Sequence, residues 1–395
     1  MKVAFVCPDG HSILLFCKGI LKALRDAVEA EVSVLCSPGR YQKDIEALGV
    51  ACIPVECYRF LSPVKDAQYL IALFRTFRRE QFDLVIAFST KPNIYATVAA
   101  RLAGVRRVVV HVVGLGSAFS QTSNLKGRCM RFMFLQLYHL AFRLCSKAWF
   151  TNGNDLRYFL DLKMMSKSKA VLTRNYLNID RFAPDSIDRD KISELKRELR
   201  IGDGERVVVM VARMIWQKGI REFAEAAELL KAEYPHIRFL LIAPLETGSP
   251  GAVPEDYIIE KEKTANLKWL GFREDLKNIY AMSDLAVLPS YYKEGGYPLG
   301  LLEPMALGKP VISSDSIDCC GPVEDGKNGF IVPARNSKAL ATAIASIFQD
   351  EKKRVSFGNY SRMKIEKEFD ERDVIREAFD KLGLLDLPLL SSTCL

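Results

Sequence analysis

Pro289 to Asp315 reads PSYYKEGGYPLGLLEPMALGKPVISSD. The stretch opens on the end of an apolar run, crosses a glycine-laden loop, continues as a short helical segment and closes on a second apolar run. Gly295, Gly296 and Gly300 let the backbone approach a ligand closely, and Leu299 stands between them and the helix. Two carboxylates, Glu294 and Glu303, bracket the turn. A carboxylate only accepts hydrogen bonds, so two of them on one glycine loop suit a ligand that offers several hydroxyl donors, such as a sugar nucleotide. Pro304 fits a helix that begins near Gly300 or Leu301, because first-turn amides lack an intrahelical partner. That start puts Glu303 in the first turn, facing the loop.

Working outward, VVVMVA runs up to Arg213, and IWQKG leads into the helical pattern IREFAEAAELLKAEYP. Lys218 follows Arg213 by five residues and stands near the start of that helix. Two cations and a positive helix terminus can therefore converge on one diphosphate. IRFLLIAP, LKWLGF, DLKNIYAM and SDLAVLPS continue the strand and helix alternation, and KPVISSD closes it. The turn-rich GPVEDGKNGFIVP reads as a hairpin or loop. Together these segments predict a parallel α/β domain over residues 206–366.

Residues 1–183 repeat the pattern. VAFVC, ILLFCKGILKALRDA and EVSVLCS form a strand–helix–strand unit; GVACIPVEC, AQYLIALFRTFRRE and FDLVIAFS extend it. The turn CPDGHSI, with Gly10 and His11, lies at the carboxyl end of the first strand, where open α/β sheets bind ligands. RRVVVHVVGLGSAF follows, carrying His111 and Gly114, and then NLKGRCMRFMFLQLYHLAFRLCSKAWF, a long basic amphipathic helix that reads either as one lying on a membrane interface or as a core helix with a solvated face, the charge of the whole half favouring the membrane. Residues 184–205 are charge-dense and predict an interdomain linker with a lead-in helix. Their Asp188-Arg189-Asp190 has no apolar strand before it and reads as a chance D-x-D rather than a metal motif. Residues 367–395 predict a last helix and a loose tail.

The 395 residues suffice for two or three domains, and the apolar and charged fractions are those of a soluble globular protein. The net charge of +8 is unevenly spread: residues 1–183 hold 26 lysines and arginines against 13 acids, residues 184–395 hold 30 against 35. The N-terminal half is the one that attracts an anionic partner. Between Asp83 and Asp155 there is no acid at all. No nucleic-acid motif accompanies this basic region, which leaves an anionic membrane surface. The sequence as read opens directly into a strand-like run, so secretion is not expected, and no apolar run reaches the ~20 residues that span a bilayer. The ten cysteines contain no C-x-x-C and read as reduced thiols packed as small hydrophobes. The four histidines show no zinc spacing, so no metal is expected.

The stretch 289–315 resembles the C-terminal signature of the retaining glycosyltransferases of family 4, E-G-F/L-x-x-x-L-L-E-A-M-A-x-G-K-P-V-I, and the pair Arg213 and Lys218 occurs in the same family. This chain has eight residues between its two glutamates where the family usually has seven, Gly295 or Gly296 being the extra one. VVGLGSAF, the basic aromatic helix, FTNGNDLRYFL and NIDRF are similar to the subgroup that extends polyprenyl-diphosphate-linked sugars in bacterial glycan synthesis. The resemblance covers the chain to about Leu384. It implies a GT-B fold: two Rossmann-like domains facing each other across a cleft, with the last helix returning to the first domain.

It also implies roles. Arg213 and Lys218 grip the phosphates of a UDP-sugar donor, Glu303 accepts from the ribose, and Glu294 accepts from a hydroxyl of the transferred sugar. Transfer goes with retention and without a metal cofactor, to a polyprenyl-diphosphate-linked saccharide at the cytoplasmic face of the plasma membrane. Where relatives carry a polar residue before Gly-Leu-Gly this chain has Val113, and His111, on the same face of the strand, is the candidate substitute. Two other readings remain open on the residues: an inverting enzyme with His11 as general base, and a non-catalytic sugar-nucleotide-binding subunit.

Overall fold

The structure, a computed structural model, describes residues 1–58, 61–114, 125–183, 186–246, 249, 251–317 and 319–385. The chain divides into two units, one formed by Met1–Asn175 with the segment from Glu371 onward, the other by Tyr176–Asp370.

In the first unit the short apolar runs become β1 (Lys2–Val6), β2 (Glu31–Cys36), β3 (Ala51–Pro54), β4 (Leu84–Phe88), β5 (Arg107–Val112), β6 (Lys147–Phe150) and β7 (Ala170–Leu172). Nearly every residue of β1, β2, β4 and β5 is buried, as continuous apolar strands require when helices cover both faces of a sheet. All pairings are parallel, in the order β3-β2-β1-β4-β5-β6-β7. The order reverses between β1 and β4, so the carboxyl ends of these two strands open the crevice where such sheets receive ligands. The longer helices are α1 (Lys18–Asp26), α2 (Pro63–Glu80), α3 (Thr90–Leu102), α4 (Leu125–Leu144) and α5 (Gly153–Asp161), with a five-residue helix at Gln42–Glu46 between β2 and β3. The expected single helix after Gly10 is interrupted: a turn at Gly10–Ser12 and a π-helical turn at Ile13–Cys17 precede α1.

The C-terminal helix, Glu371–Lys381, belongs to this first unit. Its Ile375 lies so close over Gly19 that a Cβ there would come within 2.8 Å of Ile375 Cδ1. Arg107 donates to the carbonyl of Gly383 at 2.8 Å, and Lys381 to that of Leu172 at 3.0 Å.

The second unit holds β8 (Arg206–Val211), β9 (Ile237–Ile242), β10 (Leu267–Trp269), β11 (Leu285–Leu288), β12 (Val311–Ser314) and β13 (Gly329–Val332), parallel in the order β10-β9-β8-β11-β12-β13. Around them lie α6 (Arg189–Glu198), α7 (Ile220–Leu230), α8 (Glu255–Thr264), α9 (Leu276–Met282), α10 (Leu299–Ala306), α11 (Ser337–Phe348) and α12 (Glu351–Glu368).

Three expectations change. Of the two readings of GPVEDGKNGFIVP the loop holds and the hairpin does not: β13 runs parallel to β12, and buried Asn328 holds the turn before it, donating to Pro322 O and accepting from Glu324 N at 2.7 Å. Residues 186–205 contain the expected lead-in helix, α6, but its Leu195 is buried in the core of the second unit, so the stretch belongs to that unit rather than linking two. Asp188 caps that helix by accepting from the amides of Asp190 and Lys191, which accounts for the D-x-D. The division falls at Asn175/Tyr176 rather than after 183, and at Asp370/Glu371 rather than after 366. Leu177 N–H donates to Phe369 O at 2.8 Å, and Ile179 and Phe182 are buried in the second core, which ties residues 177–182 to that unit.

Candidate active site

β8 and β11 are parallel neighbours, so the loops leaving their carboxyl ends emerge side by side. The first runs from Ala212 through Arg213 to a 3-10 turn at Trp216–Lys218; the second runs from Pro289 to Pro298 and feeds α10. Three contacts lock them together. Tyr291 N–H donates to Gln217 O at 2.9 Å, Ser290 Oγ donates to the same oxygen at 3.2 Å, and a Cβ on Gly219 would sit 2.5 Å from Pro289 O. Gly300 completes the arrangement: a Cβ there would meet Val211 O at 3.1 Å, so the start of α10 lies directly against the end of β8.

On this platform Arg213 and Lys218 turn toward the same ring. The Arg213 guanidinium carbon lies 4.9 Å and the Lys218 ammonium 5.2 Å from the centroid of Tyr292. Lys218 is nearly buried and forms an ion pair with Glu294, whose side chain is only 6% exposed and whose other oxygen accepts from Ser290 Oγ. Arg213 is 39% exposed and stands 3.8 Å from Glu246. Gly295 and Gly296 both have positive φ, 74° and 93°, a backbone turn that side-chain-bearing residues adopt at a cost. The eight-residue spacing is thus a two-glycine left-handed turn that still returns Glu294 to Lys218.

α10 begins at Leu299, one or two residues before the expected start at Gly300 or Leu301, so Glu303 falls in its second turn rather than its first. The Glu303 side chain is buried, and burial pushes its carboxyl up to about 7, against the pull of the Arg181 cation. Among the described residues its carboxylate receives no hydrogen bond. A carboxylate without protein donors is left to accept from water or from the hydroxyl or amide protons of a ligand. Arg181, Ser290, Tyr292 and Glu246 were not foreseen as parts of the site. Tyr292 and Ser290 lie within the glycine-loop stretch, but only the fold of the loop shows where they point.

The N-terminal candidates lie in the first unit. Asp9 caps the turn after β1 by accepting from Ser12 N at 2.8 Å and Ser12 Oγ at 2.9 Å. Gly10 admits a neighbour, since its Cβ would stand 3.0 Å from Tyr41 Cβ. The exposed His11 ring lies 5.6 Å from that of Tyr41. His111 does not present its ring to a ligand: it is 1% exposed, stacks on Trp149 at 3.8 Å and meets the edge of Phe88 at 5.3 Å. Burial pushes its pKa down to about 3, and neither ring nitrogen has a partner. Strand alternation turns it into the sheet's apolar layer. Gly114 is half-buried at the end of β5; the rest of the Gly-Leu-Gly motif, from Leu115 on, lies outside the described residues.

Two family descriptions match the chain: "Glycosyl transferases group 1" over residues 191–364 and "Glycosyl transferase 4-like domain" over residues 16–157. The chain is 29% identical, over 90% of its own length and 92% of the relative's, to N,N'-diacetylbacillosaminyl-diphospho-undecaprenol alpha-1,3-N-acetylgalactosaminyltransferase of Campylobacter jejuni. It is 28% identical to UDP-Gal:alpha-D-GlcNAc-diphosphoundecaprenol alpha-1,3-galactosyltransferase of Escherichia coli, over 76% of this chain and 74% of that one. Among solved structures, Anabaena HepE, in a complex with UDP and glucose, superposes with a TM-score of 0.80 at 21% identity, covering 97% of this chain and 99% of that chain.

Proposed function

Starting from the membership of this chain in the family 4 glycosyltransferases of GT-B fold, we propose that it moves a hexose or N-acetylhexosamine from a UDP-sugar to a polyprenyl-diphosphate-linked saccharide. The transfer retains the anomeric configuration, and the product belongs to a bacterial surface polysaccharide or protein-linked glycan. The names of two relatives, both acting on undecaprenyl-diphosphate-linked sugars and one using a UDP-sugar, support this substrate class.

The observation that carries the reading is the convergence of Arg213 and Lys218 on the ring of Tyr292, with Glu294 paired to the lysine. Breaking a bond from a sugar to a diphosphate builds negative charge on the phosphates, and the barrier falls when fixed cations meet that charge as it forms. Without a donor, Glu294 neutralises Lys218. A bound diphosphate takes over the ammonium and frees the Glu294 carboxylate to accept from a sugar hydroxyl. Glu303, lacking donors of its own, receives the ribose hydroxyls. A diphosphate is already a good leaving group, so no carboxylic acid is needed to protonate it, in contrast to glycosidases. Two side-chain cations can supply the neutralisation, and the reaction is expected to proceed at an undiminished rate in EDTA.

The deciding experiment is transfer from a UDP-α-sugar to a synthetic polyprenyl-diphosphate saccharide, with the product's anomeric coupling constant read by NMR. An α-linkage is expected. A β-linkage overturns retention and returns His11, exposed on the turn after β1, to the position of general base. In that case His11→Ala abolishes transfer; under retention it leaves a near-normal rate. Absence of any transfer or donor hydrolysis favours the non-catalytic reading.

The exposed side of α4 extends the reading to a membrane. Arg128, Phe132, Gln136, Leu140 and Arg143 follow one another at helical spacing and are all exposed, Phe132 to 64%. Among the described residues no helix is long and apolar enough to cross a bilayer. A basic stripe with protruding apolar side chains suits adsorption to anionic lipid on the cytoplasmic face, where a lipid-linked acceptor is found.

A further inference from the structure

Arg335 stands on the turn between β13 and α11 with φ at 60°, in the left-handed region where a side chain is strained. Gln81, Lys163 and Arg200 also have positive φ, but they come just past the ends of α2, α5 and α6, where a left-handed residue commonly closes a helix. Arg335 closes none. It follows Ala334, whose N–H donates to Asp315 Oδ1 at 2.9 Å, and precedes Asn336, which caps α11 by accepting from Ala339 N at 2.9 Å. The turn is thus fixed on both sides, and glycine would occupy its left-handed position without strain. What the arginine adds is a cation over the neighbouring loop of the site: its guanidinium carbon lies 4.4 Å from the centroid of the Tyr291 ring.

Tyr291 lies at the seam of that site. Its N–H donates to Gln217 O at 2.9 Å. Ser290, before it, donates to the same oxygen and accepts from Tyr292 N at 3.1 Å; Tyr292, after it, is the ring on which Arg213 and Lys218 converge. Burial and the Glu222 carboxylate raise the pKa of the Tyr291 hydroxyl against the pull of Arg335 and Arg221, so the ring stays neutral and offers its electron-rich face. We infer that Arg335 is a positioning residue for the phosphate-gripping loops, acting through Tyr291, an inference that rests on the assignment of Arg213, Lys218 and Glu294 to the donor. In the free chain the Lys218–Glu294 pair ties the two loops together. A diphosphate that takes over the ammonium removes this tie at the moment when the loops must hold still. The contact of Arg335 with Tyr291 does not involve that pair, so it keeps the loop seated through the exchange. The turn that carries Arg335 is itself fastened to α7, since Ser337 Oγ donates to Glu225. The left-handed strain is the cost of setting a cation where glycine would leave the ring bare.

Variants of the full chain at this exposed position separate charge from backbone. Arg335→Gln keeps the left-handed side chain and removes the cation, Arg335→Lys keeps a cation, and Arg335→Gly removes cation and strain together. In isothermal titration with UDP the Kd is expected to rise about fivefold in Arg335→Gln and Arg335→Gly and to stay within about twofold of the unsubstituted chain in Arg335→Lys. The melting temperature of Arg335→Gly is expected to be no lower than that of the unsubstituted chain, so affinity falls while stability does not. Tyr291→Leu, which removes the ring, is expected to weaken UDP binding to a similar extent, and Tyr291→Leu with Arg335→Gln no further than Tyr291→Leu alone. Unchanged affinity in Arg335→Gln, additive losses in the double variant, or affinity that simply follows melting temperature through the series overturns the inference while leaving the donor reading intact. If the unsubstituted chain binds no UDP, the donor reading fails, and hydrogen exchange decides the clamp: the Tyr291 amide, bonded to Gln217 O, is expected to exchange about fivefold faster in Arg335→Gln than in Arg335→Lys. Equal exchange in the two overturns the positioning role.

Discussion

Glu303 is held in an environment that favours its protonated form, and this has opposite consequences for stability and for binding. Its carboxyl is raised from an ordinary value of 4.5 to about 7 by burial. Below pH 4.5 the group is protonated in folded and unfolded chains alike and costs nothing. As pH rises from 4.5 through 7 the unfolded chain ionises freely while the folded one resists, so stability is lost across that window, by about 3 kcal/mol in all. Glu303→Gln removes the penalty. Its melting temperature is expected to match that of the unsubstituted chain near pH 5 and to exceed it by several degrees at pH 8, whereas its affinity for UDP falls at least tenfold because the ribose loses an ionised acceptor. Differential scanning calorimetry across pH and isothermal titration with UDP check the two halves. An equal melting temperature at pH 8 removes the buried-carboxylate account. Arg213 provides a complementary case: it is 39% exposed and its contact with the 16%-exposed Glu246 is a long one, 3.8 Å, so its removal disturbs the fold less than loss of the close Lys218–Glu294 pair. Arg213→Ala should lower kcat/KM for transfer by about 10²–10³-fold with a smaller loss of melting temperature than Lys218→Ala. Lys218→Ala, by contrast, leaves Glu294 buried and unpaired and is expected to destabilise the fold as well.

At the level of elements, the platform depends on how closely α10 approaches β8. Gly300 stands at the contact with Val211 O, and an added methyl group must push the helix back by a few tenths of an ångström. Gly300→Ala is therefore expected to cost about 1 kcal/mol in denaturant unfolding and to weaken UDP binding through the displaced Glu303, three residues on, although it removes no ligand contact. A variant that binds UDP normally would show that α10 tolerates the shift. The strands and most helices were legible because each is a continuous apolar run or a helical-period pattern closed by turn residues. The unit boundaries were not. What assigns Tyr176 to Phe182 to the second unit is a backbone hydrogen bond from Leu177 to Phe369, a partner 192 positions away that no local pattern announces. The same holds within the site. Glycines and acids of the loop could be recognised from their spacing, but the helix start at Leu299, the sharing of Tyr292 by two cations and the enclosure of His111 between Trp149 and Phe88 follow from tertiary packing.

For the molecule as a whole the consequential property is the uneven charge, 26 cationic residues against 13 acids up to Ala183 and 30 against 35 beyond it. A basic unit is drawn to anionic lipid by roughly 1 kcal/mol for each lysine or arginine near the surface, an attraction that ends within a Debye length of about 8 Å at physiological salt. Charge alone gives adsorption that salt fully reverses; inserted side chains leave a remainder that salt does not remove. The exposed stripe of α4 provides both components, Arg128 and Arg143 on the one hand and Phe132 and Leu140 on the other. In sedimentation with liposomes, binding is expected with phosphatidylglycerol vesicles, to weaken at least tenfold between 0.1 and 0.5 M salt, and to be slight with neutral phosphatidylcholine. Arg128→Glu with Arg143→Glu should remove most of the salt-sensitive part, and Phe132→Ser most of the remainder. Donor hydrolysis should be unaffected in both, since neither variant touches the residues around Tyr292. Equal binding to neutral and anionic vesicles would rule out the electrostatic component, and unaltered binding in both variants would move the membrane contact off α4.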